Sequence, residues 1–247
     1  MCTLALAWRQ FAETPVVAAA NRDEAVDRPS SPPELFSEHP RVVAPRDLTA
    51  GGTWIGVSEH GLFAAITNRW TDTELTGDRS RGQLVGDALE CESAIAASQV
   101  VSDAVAEDEY DGFYLVLADE EDALVVSWDG RYTETALEPG VHVIVNVGRA
   151  IDPTVPDHRR ELGNQQASNA SALREVLTVD PAEGPSEWLD RAGELLGDHE
   201  YGVCVHGSGF GTRSSSLLAV GTTNSYRFAD GPPCRTPYRT VDLESHI

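Results

Sequence analysis

From residue 2 the chain alternates. Cys2, Leu4, Leu6 and Trp8 fall on one side and Thr3, Ala5 and Ala7 on the other, the period of two expected of a strand covered on both faces. A turn at Glu13-Thr14-Pro15 predicts a partner strand over residues 16–20. Antiparallel pairing of the two would bring Asn21-Arg22-Asp23-Glu24 beside Cys2. A proline-rich loop (Pro29, Pro32, Pro33) then leads to a second hairpin, strands 52–57 and 62–68 joined by Ser58-Glu59-His60-Gly61.

Over residues 81–107 the period of two disappears. The stretch is rich in alanine and spaces Leu84, Leu89, Ile95 and Val101 as two packed helices would. Strands return at 114–118, 123–128, 132–136 and 142–146, punctuated by Asp129-Gly130 and Pro139-Gly140. Helices are predicted over 158–177 and 186–196, and strands over 202–206, 215–220 and 226–228. Blocks of strands separated by two helical blocks predict a layered α+β protein rather than an alternating parallel one. No repeat or long linker divides the chain, so residues 1–247 read as one domain.

Charge narrows the partners. Forty acidic residues face 18 basic ones, all of them arginine, for a formal net charge of −22. The acids are spread along the chain as a solvated coat, with no basic patch, which argues against a nucleic-acid partner or an anionic membrane surface. Such a surface suits a salt-rich medium, where screening shortens the repulsion. No stretch resembles a signal peptide or a membrane span, so the expected location is the cytoplasm. Cys2, Cys91, Cys204 and Cys234 are scattered without a C-x-x-C pair, so neither a disulfide framework nor a metal centre is expected. Asn169-Ala170-Ser171 matches a glycosylation acceptor by chance.

Candidate chemistry gathers at the start of the chain. Loss of Met1 would leave Cys2 with both a thiol and a free α-amine. The amine, with a reference pKa of about 7.7 to 8.0, can take the proton of a thiol whose own value is about 8.5. The plainer alternative is a small buried strand residue. Arg22 could lower the thiol pKa and Asp23 could orient the ammonium or a substrate nitrogen, although most Arg–Asp neighbours only close a turn. Asn68 and Asn146 each end a strand, where an amide can donate to an oxyanion or cap its own backbone. Arg213, at the turn Gly211-Thr212-Arg213-Ser214, either projects into a site or pairs with an acid.

In order, "MCTLALAW", "AAANRDE", "RPSSPP", "GGTWIGVSEHGLFAAITNR", "VIVNVG" and "YGVCVHGSGFGTRSSSLL" resemble the NRDE family, proteins similar to transport and Golgi organization protein 2. The resemblance implies an N-terminal nucleophile (Ntn) hydrolase fold, a four-layer αββα sandwich. It extends to the cysteine amidases that cleave bile-salt conjugates and penicillin V. Their roles would fall on Cys2 as nucleophile, Arg22 and Asp23 beside it, Asn68 and Asn146 at the oxyanion and substrate, and late Arg213. The compact Asn21-Arg22-Asp23 leaves open whether Asn21 or Arg22 faces the thiol. The sequence after Asn146, Val147-Gly148-Arg149, departs from the family's usual continuation.

The resemblance implies two functions. One is hydrolysis of a linear amide or related acyl C–N bond through a thioester, without a cofactor. The other is haem trafficking with haem as the ligand. No C-x-x-C-H site is present, and His39, His60, His142, His158, His199, His206 and His246 form no axial-ligand pattern.

Overall fold

A computed structural model describes residues 2–243, so Met1 and His246 lie outside the described residues. In chain order the strands β1 (Thr3–Phe11) and β2 (Thr14–Ala25) precede β3 (Ser30–Glu38), β4 (Arg41–Asp47), β5 (Ile55–Ser58) and β6 (Phe63–Asn68). Helices α1 (Arg81–Leu89) and α2 (Ala94–Glu107) follow, then β7 (Phe113–Ala118), β8 (Ala123–Trp128), β9 (Tyr132–Ala136), β10 (Gly140–Val145) and β11 (Gly148–Arg149). Helices α3 (Arg160–Val176) and α4 (Pro185–Gly197) lead to β12 (Phe210–Val220), β13 (Ser225–Ala229) and β14 (Arg239–Thr240). None of the described helices is long and apolar enough to cross a membrane.

The described chain falls into two compact units, residues 2–27 with 139–241, and residues 28–138 with 242–243. The first holds a seven-stranded sheet in the order β11-β10-β1-β2-β12-β13-β14. Its strand pairs β1–β2, β1–β10 and β2–β12 are antiparallel. Alanine-rich β2 is central and buried along most of its length, which lets its neighbours pack closely. Helix α4 covers part of this sheet with Trp188, Leu189, Ala192 and Leu196, all buried. Indole Nε1 of Trp188 donates to the carbonyl of Leu177 at 2.8 Å, so its one polar atom is satisfied in the core.

The second unit holds the sheet β3-β4-β5-β6-β7-β8-β9. Phe113, Leu115 and Leu117 alternate along β7 and cluster with Leu84, Val85 and Leu89 of α1 and Ala97 and Val101 of α2. Ser80 and Ser93 cap the two helices, each accepting a backbone N–H of the first turn. Gly52 fits against the start of α1, where a Cβ would lie 2.1 Å from the carbonyl carbon of Gly82. Gly52 thus permits close packing of loop and helix.

Three expectations need correction. Strand β2 runs on through Asn21-Arg22-Asp23-Glu24 instead of ending before it, because β12 continues to pair with it as far as Ala25. Pro29 stays in the connection before β3, but Pro32 and Pro33, also expected in a loop, lie in edge strand β3, where the register shifts between Ser31 and Glu34. Pro32 and Pro33 therefore occupy a bulge, where no ladder hydrogen bond needs their missing N–H. Residues 202–206 form no strand: a single 3₁₀ turn at His199–Tyr201 leads into a segment with one bridge, His206 to Gly211.

Candidate functional site

The ladder of β1 and β2 fixes the geometry around Cys2. Thr3 pairs with Asn21 and Leu4 with Ala20, so the same register sets Cys2 across from Arg22. Side chains alternate along a strand, which puts Cys2 and Arg22 on one face and Asn21 on the other. Asn21 is committed there: its Nδ2 donates to the carbonyls of Leu196 and Val203, both at 2.9 Å. The choice left open by the sequence is thereby resolved, and Arg22 is the residue on the thiol's side. Its guanidinium approaches Glu24 at 3.9 Å.

Cys2 is held at both its backbone nitrogen and its sulfur. Its backbone nitrogen donates to Oδ1 of Asn146 at 3.2 Å, and its thiol donates to the carbonyl oxygen of Asp23 at 3.7 Å. Oδ1 of Asn146 also accepts from Nε2 of Gln166 on α3 at 3.0 Å. A backbone nitrogen can only donate, so the carbonyl end of the Asn146 amide must face Cys2, leaving Nδ2 as its sole donor. Asn146 is 1 % exposed, Asp23 3 % and Arg22 6 %.

Burial pushes the Cys2 thiol above its ordinary value, and the nearby Asp23 charge adds to the rise. The hydrogen bond to the Asp23 backbone and the Arg22 charge oppose it without prevailing. The expected lowering by Arg22 is present as a direction but is outweighed by desolvation. Asp23 is pushed up to about 6, chiefly by burial, while a hydrogen bond from Thr212 acts the other way.

Thr212 joins three segments. It pairs with Asp23 across β12 and β2, donates its hydroxyl to Oδ1 of Asp23 at 2.5 Å, and accepts the N–H of Val205 at 2.8 Å. Immediately after it the ladder slips between Thr212 and Ser214, leaving Arg213 in the bulge. Nε of Arg213 and the hydroxyl of Ser214 are buried without a hydrogen-bond partner among the described residues, and Ser214 stands opposite Arg22. Cys2, Arg22, Asp23, Asn146 and Arg213 thus all belong to the first unit. Asn68 ends β6 in the second, exposed, paired in register with Phe113.

The sequence reading missed Thr212 and Gln166. Thr212 lies one residue before Arg213 in the same Gly-Thr-Arg-Ser stretch, so its neighbour carried the signal. Gln166 had none, since it sits mid-helix and only folding brings it to Asn146.

Comparisons with known structures show the fold. Penicillin V acylase from Agrobacterium tumefaciens superposes with a TM-score of 0.62 at 14 % identity, covering 98 % of this chain and 86 % of that one. The C2A mutant of conjugated bile acid hydrolase from Clostridium perfringens gives 0.61 at 11 %, covering 100 % and 94 %. The Caenorhabditis elegans ortholog of N-acylethanolamine-hydrolyzing acid amidase gives 0.59 at 13 %, covering 88 % and 92 %. The fold is therefore α+β, two antiparallel sheets flanked by helices, of the Ntn-hydrolase type that the sequence led us to expect.

Sequence relatives agree on the family. The Transport and Golgi organization protein 2 homologs of Bos taurus and Homo sapiens are 27 % and 28 % identical over 240 residues, each covering 87 % of this chain and 85 % of the relative. The family model described as Transport and Golgi organisation 2 matches residues 1–231, a span that includes Cys2, the Asn21–Glu24 stretch, Asn146 and Arg213. The chain belongs to the Transport and Golgi organisation 2 family.

Proposed function

We propose that this protein is an N-terminal-cysteine hydrolase acting on a linear amide or a related acyl C–N bond. One observation carries the reading: both atoms of Cys2 that the chemistry needs are held at once, the nitrogen on Asn146 and the thiol on Asp23. A thiol whose pKa is raised by burial requires a base close by. Once Met1 is removed, the α-amine of Cys2 is that base, built into the same residue.

In this reading the amine takes the thiol proton and the sulfur attacks the substrate carbonyl. The C–N bond breaks with transfer of the proton to the leaving nitrogen, and water then hydrolyses the thioester. The Arg22 guanidinium, on the thiol's face, stabilises the thiolate as it forms. Asn146 orients the amine through Oδ1, and Nδ2 is its only group able to donate to a developing oxyanion.

The test combines intact mass of the N-terminus with turnover of three amides taken from the names of the structural relatives, penicillin V, a conjugated bile acid and an N-acylethanolamine. The expected result is a chain starting at Cys2, hydrolysis of at least one amide, and loss of turnover in Cys2→Ala with the fold intact. Retention of Met1, or turnover that survives Cys2→Ala, would overturn the reading. A Soret shift on adding haem that persists in Cys2→Ala, without hydrolysis of any amide, would favour the haem carrier instead.

A further inference from the structure

Behind β2, on the side to which Asn21 points, four side chains from three segments converge. They are His199 on the 3₁₀ turn after α4, Cys204 and His206 on the following segment, and Cys234 in the loop after β13. One ligand atom from each lies within 4.8 Å of the others. We propose that His199, Cys204, His206 and Cys234 form a tetrahedral Cys₂His₂ site for a divalent cation of the zinc class.

The three distances from His206 fit the edges of a coordination shell. With metal–sulfur bonds of about 2.3 Å and metal–nitrogen bonds of about 2.0–2.1 Å, a tetrahedron has N–N edges of about 3.3 Å, S–N edges of about 3.6 Å and an S–S edge of about 3.8 Å. Nε2 of His206 lies 3.2 Å from Nε2 of His199, 3.6 Å from Sγ of Cys204 and 3.3 Å from Sγ of Cys234. Hydrogen bonding explains the cluster less well. One imidazole nitrogen makes a single in-plane hydrogen bond, as donor or as acceptor, yet three polar atoms crowd this one. A cation among them accepts a lone pair from each. Two thiolates and two neutral imidazoles are the donor set that zinc prefers over magnesium or calcium.

The surroundings bring the ligands together by close backbone packing. At Gly197, the last residue of α4, a Cβ would lie 3.2 Å from the backbone nitrogen of Cys234, so the absence of a side chain lets the Cys234 loop approach. Gly202 has a φ of +61°, a left-handed conformation that turns the chain from His199 back toward Cys204. The ion would also fasten the wall behind the candidate catalytic strand. Val203 accepts from Asn21, and Val205, between the two ligands Cys204 and His206, donates to Thr212, which in turn holds Asp23.

This differs from the sequence expectation of no metal centre. The ligand pattern His-x₄-Cys-x-His-x₂₇-Cys contains no paired Cys-x₂-Cys, and only the return of the chain through β12 and β13 brings Cys234 to the other three.

The experiment uses the untagged full chain under reducing conditions. The native protein should carry about one zinc per chain by elemental analysis. After chelation it should bind one equivalent of Co²⁺ with an intense tetrahedral visible spectrum and a sulfur-to-cobalt charge-transfer band. Exposed Cys234 and His199 allow variants that spare the core, so Cys234→Ala should lose much of the charge-transfer band, and His199→Ala should weaken binding at least tenfold. Cys2→Ala should leave both unchanged, which separates this site from the proposed nucleophile. Failure to bind Co²⁺ stoichiometrically, or a charge-transfer band undiminished in Cys234→Ala, would overturn the proposal.

Discussion

The backbone nitrogen of Cys2 donates to the side-chain oxygen of Asn146, 144 residues further along the chain. That bond fixes where an α-amine would stand once Met1 is gone, and Gln166 fixes Asn146 in turn. The position of the candidate base is thus decided by a relay from α3 through the end of β10 to the start of β1.

The relay can be broken at a distance from the thiol. Gln166→Leu removes the donor that orients Asn146, and Asn146→Ala removes the acceptor itself, leaving a buried Gln166 amide without its partner. Each should cost about 1–3 kcal/mol of stability, read as a lower melting temperature. Both should slow alkylation of Cys2 by a thiol-directed electrophile, with Asn146→Ala the slower. Labelling at the wild-type rate in both would show that the relay does not position Cys2.

Asp23 gives a pH prediction with a definite sign. Its carboxyl is pushed up to about 6 in the folded chain from 3.8, so between those values the folded state holds a proton that the unfolded state has released. Its contribution to stability is therefore greatest below the unfolded value and falls as pH rises through the folded one. A shift of this size corresponds to about 3 kcal/mol. Asp23→Asn should be as stable as the wild type near pH 4 and gain on it by several degrees of melting temperature near pH 7. A constant difference across that range would contradict the assignment.

Thr212 offers a sharper version of the same test. Thr212→Val keeps the shape but deletes the donor to Asp23 and the acceptor for the Val205 N–H. Since that donor holds the Asp23 pKa down, its loss should raise the pKa further and move the stability loss to higher pH. Thr212→Ser should restore the wild-type profile. A stability cost of about 1–3 kcal/mol accompanies the valine variant.

The acidic surface predicts a response to salt. With a net charge of −22, repulsion opposes the compact state, and the screening length falls from about 8 Å at physiological ionic strength to about 3 Å in molar salt. The melting temperature should rise steadily with KCl over that range. A flat or falling curve would mean that screening of ion pairs such as Arg41–Glu59 and Arg79–Asp108 offsets the relief of repulsion.

Much of this was legible along the chain because strands and helices declare themselves locally. The alternation from Cys2 to Trp8 marks β1, the alanine-rich stretch marks α1 and α2, and the Asp129-Gly130 turn separates β8 from β9. The same local rules misread Pro32 and Pro33, since a proline in an edge bulge looks from sequence like a proline in a loop. They also ended β2 too early, because Asn21 and Asp23 are poor strand formers by propensity and stay in the strand through pairing with β12.

The sequence by itself determined the α+β class, the family and the cluster of reactive types around Cys2, because periodicity and short motifs are properties of neighbouring residues. Only the tertiary structure decided that Arg22 rather than Asn21 shares the face of the thiol, that Asn146 turns its oxygen toward the Cys2 nitrogen, and that Thr212 supports Asp23. It alone brought Cys234 to His199, Cys204 and His206. Each of these rests on contacts between segments distant in sequence, whose distances are set by the packing of sheet and helices and leave no trace in local spacing.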